Sequence, residues 1–259
     1  MKSVTSRDNP TFKDLRDLAH DARRQRREGR TLLDGPHLVA AALDHGLMPE
    51  LIAVGESAVG RPEIAALLAR LPAVAVLCLR DALLRELSEL KTPPGILAVI
   101  AVPPAPSLPS SGDCLLLEAV QDAGNVGALL RTAAAAGIPH VLLGPGCAGA
   151  WTPRVLRAAQ GAHFALALYE HVDLAAFLAG FASQSIAAVA HQGTSLYALD
   201  LAGPTAWLFG NEGQGVSPRL AAMATHRATI PLAAGCESLN VAAAAAVCLF
   251  EMRRQRGIV

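Results

Sequence analysis

The sequence is poor in aromatic and charged residues, and it lacks the long apolar runs of a membrane protein. Of its 259 residues, 4% are aromatic and 17% are charged, whereas 52% are hydrophobic. No apolar stretch approaches the roughly 20 residues that a membrane-spanning helix requires. A chain of this length can bury a sizeable core as one large or two ordinary domains. We therefore expect a globular protein that does not reside in a membrane.

Targeting and metal-binding patterns are also missing. The N-terminal stretch MKSVTSRDNPTFKDLRDL has no apolar signal core and carries Asp8, Asp14 and Asp17, which argues against secretory or organellar targeting. The five cysteines include no C-x-x-C pair, and the eight histidines show no H-x-x-x-H spacing. We therefore expect a cytoplasmic protein with reduced, mostly buried thiols and no metal site.

Positive charge is unevenly distributed although the formal net charge is zero. Residues 23–30, RRQRREGR, contain five arginines and one glutamate. On a helix these arginines cover most faces. Two interpretations stay open, a solvated helix end and an arm that contacts phosphates. The candidate phosphate contacts are Arg23, Arg24, Arg26 and Arg27.

Short apolar runs alternate with alanine- and leucine-rich runs of helical periodicity. The first series predicts strands near TLLDG, ELIAVG, AVAVLCL and GILAVIAV, separated by helices in PHLVAAALDHG, RPEIAALLARL and RDALLRELSEL. The stretch PPAPSLPSSG, residues 103–112, packs four prolines with serines and favours an extended linker. We expect a basic helical arm at 1–30, a small α/β domain at 31–102, the linker, and a second α/β domain at 113–259.

The second series predicts another alternation of strands and helices. It opens with a strand in DCLLLEAV and a helix from about Asn125, and it ends with a helix from Val241. Between them lie HVLLG, TPRVLRAAQ, FALALYE, VDLAAFLAGFA, SIAAVAH, AWLFG, SPRLAAMA and RATIPL. Such alternation implies a mostly parallel sheet covered on both faces. Ligands of these sheets usually bind beyond the carboxyl ends of the strands.

One glycine pattern resembles a dinucleotide-binding fingerprint. After a predicted strand, G-x-G-x-x-G spacing occurs at Gly144, Gly146 and Gly149. Glu170 follows about 20 residues later, near the position of the ribose-binding acid. In a working fingerprint the helix begins within the glycines, whereas here Thr152 is the predicted N-cap and Pro153 the first helical residue. An NAD-binding oxidoreductase is therefore kept only as an alternative.

A second glycine-rich loop, AWLFGNEGQGVSPRL, follows an apolar strand. It contains Glu212 and no lysine, so it does not match a loop that cradles a triphosphate. The simplest interpretation is a tight strand-to-helix turn, with Ser217 as the N-cap and Pro218 as the first helical residue. What else the loop holds depends on its neighbours.

Two further stretches carry polar groups directly after predicted strands. In LLLEAVQDAGNVGALLRTAAAAG, Asn125 can cap a helix, while Gly127 and Arg131 are four apart and so share a helical face. In TIPLAAGCESLNVAAAAAVCLFE, the entry to an alanine-rich helix is formed by Ser238, Leu239 and Asn240. We expect these two stretches and the glycine loop to converge.

In this order the three stretches resemble the motifs of the SpoU family of RNA ribose 2'-O-methyltransferases, within the SPOUT superfamily of knotted enzymes. NVGALLR looks like the first motif, LFGNEGQGV the second, and IPLAAGCESLNVAAAAAVCLFE the third. The resemblance spans residues 113–256. The α/β region before it looks, less specifically, like the RNA-recognition domain of many members. There LDG, residues 33–35, replaces the usual VEG.

The resemblance implies S-adenosylmethionine as cofactor and RNA as substrate. The glycine loop would hold the cofactor through backbone groups, with matching or adjacent positions at Leu208, Gly210, Gly215, Ile230 and Leu239. It also implies a deep trefoil knot and a homodimer whose active site combines both chains. Sequence periodicity alone gives no sign of a knot, and general topology rules argue against one.

The resemblance also assigns catalytic residues. The family's motif-one arginine, often proposed as the base, maps to Arg131, but a guanidinium releases its proton too reluctantly for that role. Arg131 is instead expected to hold a phosphate and stabilise the developing alkoxide, while the proton leaves to phosphate, water or Glu212. Asn125, Ser238 and Asn240 would orient the ribose and the loops.

Simpler roles remain open for several of these residues. Asn125 and Ser238 could be helix caps only, and Glu212 could be an ion-pair partner of Arg131 only. The expected target is ribosomal RNA, by analogy with the N-terminal domain. The alternatives are a transfer RNA target and a noncatalytic RNA-binding member of the family.

Overall fold

Two units make up the fold in the computed structural model, which describes residues 1–257. Unit 1 comprises residues 1–104 and 151–164, and unit 2 comprises residues 105–150 and the chain from residue 165 onward. Residues 258 and 259, the last two of the domain expected at 113–259, lie outside the described residues. The segment 151–164 groups with unit 1 because side chains such as Leu156 are buried in that unit's core.

Unit 1 is built on a five-stranded mixed sheet in the order β1-β4-β3-β5-β2. Strand β3 runs parallel to β4 and antiparallel to β5, and β5 is also antiparallel to β2. The elements are β1 (Lys2–Val4), α1 (Pro10–His20), α2 (Ala22–Glu28), β2 (Arg30–Asp34), α3 (Pro36–Asp44), β3 (Leu51–Gly55), α4 (Pro62–Ala69), β4 (Ala75–Leu79), α5 (Asp81–Leu87) and β5 (Ile96–Ala101).

Residues 1–30 form part of this fold, which differs from the expected basic helical arm. Their two helices are present, but β1 pairs with β4 and the ring of Phe12 is fully buried. The helices are delimited by local caps, because Asn9 accepts backbone hydrogen bonds at the start of α1 and Asp21 does so at the start of α2. The segment therefore contributes to the hydrophobic core of unit 1.

Unit 2 contains a seven-stranded sheet in the order β10-β12-β9-β11-β6-β7-β8, and all its strand pairs are parallel. This confirms the mostly parallel sheet expected from the alternation. The elements after β5 are β6 (Cys114–Leu117), α6 (Ala123–Ala136), β7 (His140–Leu143), α7 (Pro153–Ala159, in unit 1), β8 (Ala167–Glu170), α8 (Leu174–Gly180), β9 (Gln184–Ala188), β10 (Thr194–Ser195), β11 (Thr205–Phe209), α9 (Pro218–Met223), β12 (His226–Thr229) and α10 (Val241–Gln255).

The central strands of unit 2 are buried over their whole length. Every residue of β6 and of β11 is buried, which explains why β6 is wholly apolar and β11 is apolar after Thr205. Residues 102–113, which include the expected linker, form neither helix nor strand. Within the described chain, no helix combines the length and hydropathy that crossing a bilayer needs.

Helix α6 begins two residues before Asn125, near which its start was expected. The helix begins at Ala123 because the carboxylate of Asp122 accepts the backbone N–H of Asn125 at 2.8 Å. Asn125 is therefore not a helix cap, and its side chain in the first turn is available for other contacts. The helix ends at Ala136 and is capped by Gly137, which adopts a φ of 77° in the left-handed region that favours glycine.

Candidate active site

A cavity of about 440 Å³ lies beyond the carboxyl ends of β9 and β11 in unit 2. One wall is the glycine loop after β11, and another is the segment from Ile230 to the first turn of α10. Its lining comprises Ala188, Val189, Ala190, His191, Phe209, Gly210, Asn211, Glu212, Gly213, Gln214, Gly215, Val216, Ala228, Ile230, Leu232, Glu237, Ser238, Leu239, Asn240, Val241 and Ala244. The second and third motif stretches therefore meet at the sheet edge where parallel α/β sheets bind ligands.

The glycine loop folds back on itself at Gly210. The backbone N–H of Gly215 donates to the carbonyl of Asn211 at 2.8 Å. A Cβ added to Gly210 would overlap the backbone carbonyl of Gly215 and the backbone nitrogen of Val216. Gly210 is thus required by the loop's own backbone, before any ligand is considered. Gly215 has a φ of 69°, another position that favours glycine.

Two side chains that the sequence analysis did not single out fasten this loop to the segment after β6. The amide of Asn211 donates to the carbonyl of Ala119 at 3.0 Å, and its oxygen accepts the N–H of Gly213 at 2.9 Å. A carboxylate oxygen of Glu118 accepts the N–H of Ser217 at 2.7 Å. Both residues lie within the quoted motif stretches, next to the residues that we singled out.

A chain of hydrogen bonds joins all three motif stretches. The Nδ2 of Asn125 donates to Oε1 of Glu212 at 3.0 Å, and the Nδ2 of Asn240 donates to Oδ1 of Asn125 at 2.9 Å. The Oδ1 of Asn240 accepts the N–H of Ala242 at 2.9 Å, so Asn240 caps α10. The expected convergence of the three stretches is therefore found in the structure.

Glu212 is held in its ionised form by these contacts. Partial burial raises the pKa of its carboxyl group, but hydrogen bonds from the side chain of Asn125 and from nearby backbone N–H groups outweigh this effect. The backbone N–H of Asp122 donates to Oε1 at 3.3 Å and that of Gln121 to Oε2 at 3.4 Å. The net result is a lowered pKa, which makes Glu212 a weak proton acceptor.

Arg131 is exposed on α6 and does not line the cavity. Within residues 1–257 its guanidinium forms no ion pair, so the alternative in which Arg131 simply pairs with Glu212 is not found. Gly127, one turn earlier on the same helix, lies four residues before Arg131 as expected, and it is buried. The five N–H donors of the Arg131 guanidinium therefore remain available to a ligand.

The remaining predicted site residues are divided between the cavity and the core. Leu208 is fully buried in β11 and does not contact the cavity. Ser238 lines the cavity, and α10 is capped by Asn240, so the interpretation of Ser238 as a cap is wrong. Ser217 is the N-cap of α9, with Pro218 at its first position, as predicted. Four of the five predicted cofactor positions line the cavity, namely Gly210, Gly215, Ile230 and Leu239.

Sequence reasoning missed the contribution of β9 to the cavity. Ala188, Val189 and His191 line it because β9 neighbours β11 in the sheet. Strand order is set by tertiary contacts, and the run SIAAVAH carries no local sign of it. His191 is the one ionisable cationic side chain of this lining, which also contains the acidic Glu212 and Glu237.

The dinucleotide-like glycine pattern does not form a phosphate-binding turn. Helix α7 begins at Pro153 with Thr152 at the N-cap position, as expected, so all three glycines precede it. Oε1 of Glu170 accepts the backbone N–H of Ala150 at 2.8 Å. Glu170 therefore stabilises the loop before α7, and the geometry of a dinucleotide site is not found there.

The four arginines of the basic segment differ in their surroundings. Arg24 is largely covered and forms ion pairs with Asp14 and Glu28. Arg27 is exposed, with a loose ion pair to Glu28 at 3.7 Å. Arg23 and Arg26 are exposed, and neither forms an ion pair within residues 1–257. Only the exposed arginines are thus free to contact a phosphate.

Two family models cover most of the chain. The SpoU rRNA Methylase family matches residues 114–250, and the MRM3-like substrate binding domain matches residues 9–98. The first match contains the cavity and the hydrogen-bond chain described above. The second covers most of unit 1.

Full-length relatives and solved structures agree with these matches. An uncharacterized tRNA/rRNA methyltransferase of Synechocystis is 34% identical over 98% of this chain and 94% of its own. The 23S rRNA (guanosine(2553)-2'-O)-methyltransferase RlmP of Bacillus subtilis is 30% identical over 98% of this chain and 100% of its own. The crystal structure of an AdoMet-bound rRNA methyltransferase from Sinorhizobium meliloti superposes with a TM-score of 0.84, at 28% identity, over 98% of this chain and 97% of that one.

Proposed function

The chain belongs to the SpoU rRNA methylase family, and we propose that it transfers a methyl group from S-adenosylmethionine to a ribose 2'-hydroxyl of ribosomal RNA. The observation that carries the proposal is the cavity where the glycine loop and the entry to α10 meet, fastened to α6 by Asn125, Glu212 and Asn240. Ribosomal RNA is favoured over transfer RNA because the B. subtilis relative is a 23S rRNA methyltransferase.

The cavity fits S-adenosylmethionine in size and chemistry. Its volume of about 440 Å³ lies in the range of small-molecule sites. Phe209, Ile230 and Leu239 offer apolar surface to an adenine, and the glycine loop offers backbone N–H and C=O groups to polar atoms. The carboxylates of Glu212 and Glu237 disfavour a triphosphate and suit a cationic ligand. When bound, the cofactor supplies an electrophilic methyl group on its sulfonium.

Positioning of the ribose is the main task of the protein side chains. We assign to Arg131 the neighbouring RNA phosphate and the negative charge that develops on the 2'-oxygen. Because its pKa is lowered, Glu212 is a poor general base, so the proton leaves to phosphate or water. Asn125 and Asn240 keep the loops in register, and the Ser238 hydroxyl is available to the ribose.

We also propose that the protein acts as a homodimer through α6 and α10. The two helices pack together, yet α10 leaves Phe250 48% exposed and Ala243, about two turns earlier, exposed as well. On α6 the exposed residues include Ala135 and Arg131. An apolar face beside an unpaired arginine suits a second copy, in which Arg131 would reach the partner's cavity. We further propose that unit 2 contains a trefoil knot and that the protein is cytoplasmic.

The test is to map ribose methylation in RNA from cells with and without the gene. Loss of one 2'-O-methyl mark in ribosomal RNA is expected, while loss of a mark only in transfer RNA would favour that alternative. A noncatalytic RNA-binding member would leave every mark unchanged. A calorimetric titration should give binding of S-adenosylmethionine and none of NADH, which separates the proposal from an oxidoreductase.

A further inference from the structure

Unit 1 contains a small pocket with an excess of positive charge. It has a volume of about 230 Å³ and lies beyond the carboxyl ends of β3 and β4. Its polar lining consists of Ser57, Arg61, Asp81, Arg85, Lys91 and Thr92. We refer to it as the cationic pocket. Three side chains with positive charge thus face a single carboxylate.

Hydrogen bonds orient two of the three cations, and neither of these two is neutralised. Nη1 of Arg61 donates to the carbonyl of Pro94 at 3.3 Å, and Nε of Arg85 donates to the carbonyl of Asp81 at 3.3 Å. Each hydrogen bond uses one N–H and leaves most of the guanidinium donors unused. Lys91 is exposed. Within residues 1–257 none of the three forms an ion pair.

The carboxylate of Asp81 is occupied by the backbone. Its Oδ1 accepts the N–H of Ser57 at 3.2 Å and lies against Gly55, where an added Cβ would be only 2.7 Å away. It stabilises the loop after β3 and forms no ion pair with Arg61, Arg85 or Lys91 in the described chain. The cations therefore remain available to an anion from solution.

The other arginine-rich surface of unit 1 is different. The hollow between α1 and α2 is lined by Arg16, Arg24 and Arg27, but also by Asp17 and Glu28. Each of its arginines has an acidic partner within 4 Å. Composition alone directs attention to this surface, because Arg24, Arg27 and Glu28 belong to the run RRQRREGR. The ion pairs show that its charge is largely compensated within the fold.

We propose that the cationic pocket binds a backbone phosphate of the RNA substrate. Two guanidinium groups and an ammonium can donate charge-assisted hydrogen bonds to phosphate oxygens, and the hydroxyls of Ser57 and Thr92 add neutral donors. Such binding fixes the register of the RNA on unit 1 without reading its sequence. This inference rests on the proposed function, since it takes RNA as the ligand.

The test is RNA binding by a triple variant, Arg61→Gln/Arg85→Gln/Lys91→Gln. The control is Arg7→Gln/Lys13→Gln/Arg70→Gln, which removes the same charge from unit 1 at residues held in ion pairs with Glu86, Asp8 and Asp44. Fluorescence anisotropy with labelled, deproteinised ribosomal RNA is measured over a range of salt concentrations. The plot of log affinity against log salt has a negative slope. The magnitude of this slope should decrease by roughly 0.7–0.9 for each phosphate that the variant no longer neutralises.

Binding at physiological salt should weaken on the order of 10- to 100-fold in the triple variant and much less in the control. The double variant Arg61→Lys/Arg85→Lys keeps the charge and should keep the slope. If the triple variant does not fold, Lys91→Gln alone, at an exposed side chain, should still lower the slope measurably. A slope equal to that of the wild type, or an equal fall in the control, would overturn the inference.

The wild-type protein separates this inference from the proposed function. Methyl transfer to the same RNA is measured independently of binding. In one outcome the wild-type protein methylates ribose, but the triple variant keeps the wild-type salt slope. That result would support the proposed function and contradict phosphate binding in the cationic pocket. In the other outcome the triple substitution reduces the salt-dependent binding, but the wild-type protein transfers no methyl group. That result would contradict the proposed function and support phosphate binding in the cationic pocket.

Discussion

The Nδ2 of Asn125 lies 3.0 Å from Oε1 of Glu212, which joins the first turn of α6 to the glycine loop after β11. The same Asn125 accepts a hydrogen bond from Asn240 at the start of α10. One amide side chain therefore connects the three motif stretches. Replacing it changes how the walls of the cavity are held together.

Substituting Asn125 should produce a pH-dependent defect. The wild-type Glu212 stays ionised because its pKa is lowered, and Asn125→Asp would oppose it with a second carboxylate. Turnover of Asn125→Asp should therefore fall at about pH 8 and partly recover towards about pH 5, where one carboxylate takes up a proton. Asn125→Ala lacks the repulsion and should show no such recovery relative to the wild type. Parallel pH profiles for both variants would contradict this role.

Substituting Gly210 should weaken cofactor binding through the shape of the loop. In Gly210→Ala the new methyl group would overlap the backbone at Gly215, at a cost of about 1–3 kcal/mol if the loop shifts to admit it. Affinity for S-adenosylmethionine should fall roughly 5- to 100-fold. Gly213→Ala is the matched control, because its Cβ would meet only the Asn211 side chain at 3.4 Å. Equal affinities for both variants by calorimetry would argue against the loop as the cofactor site.

Arg131→Lys tests the chemical step. A planar guanidinium can engage a phosphate and a nascent alkoxide together, whereas an ammonium is a point charge with a different reach. We expect dimerisation and cofactor binding to persist and the single-turnover rate to fall on the order of 100-fold or more. Saturating RNA and cofactor separate this effect from weaker binding. A near-normal rate would remove Arg131 from the mechanism.

The basic segment should divide into structural and RNA-facing arginines. Arg24 is paired with Asp14 and Glu28, so Arg24→Gln should lower the melting temperature and leave the salt dependence of RNA binding unchanged. The exposed pair Arg23→Gln/Arg26→Gln should instead lower the salt slope by roughly 0.7–0.9 for each arginine that binds a phosphate in the wild type. An unchanged slope in the pair would assign both residues to a solvated helix end.

The sequence pattern was sufficient for most elements of the fold. The buried strand β6 is an unbroken apolar run and β11 is apolar after Thr205, and the alternation with helices predicts a parallel sheet in unit 2. The strand directions in unit 1 could not be predicted in this way. Nothing in GILAVIAV shows that β5 runs antiparallel to its neighbours, because that direction depends on long-range pairing.

The sequence singles out several residues that line the cavity, Gly210 and Glu212 among them, but not every physical reason for their placement. Gly210 was expected to make room for a cofactor, yet the backbone of Gly215 already excludes a side chain there. Asn125 was a possible cap because asparagine and aspartate both cap helices, and only the structure distinguishes it from Asp122. The contribution of His191 depends on the order of strands in the sheet, which no local pattern encodes.

The position of the transferred methyl group can be identified from the methylated nucleoside. The protein is incubated with ribosomal RNA and S-adenosylmethionine that carries a deuterated methyl group, and the RNA is digested to nucleosides for mass spectrometry. We expect the label on the ribose of a single nucleoside, as a 2'-O-methyl group. Label on a base, or no transfer under conditions where S-adenosylmethionine binds, would contradict it.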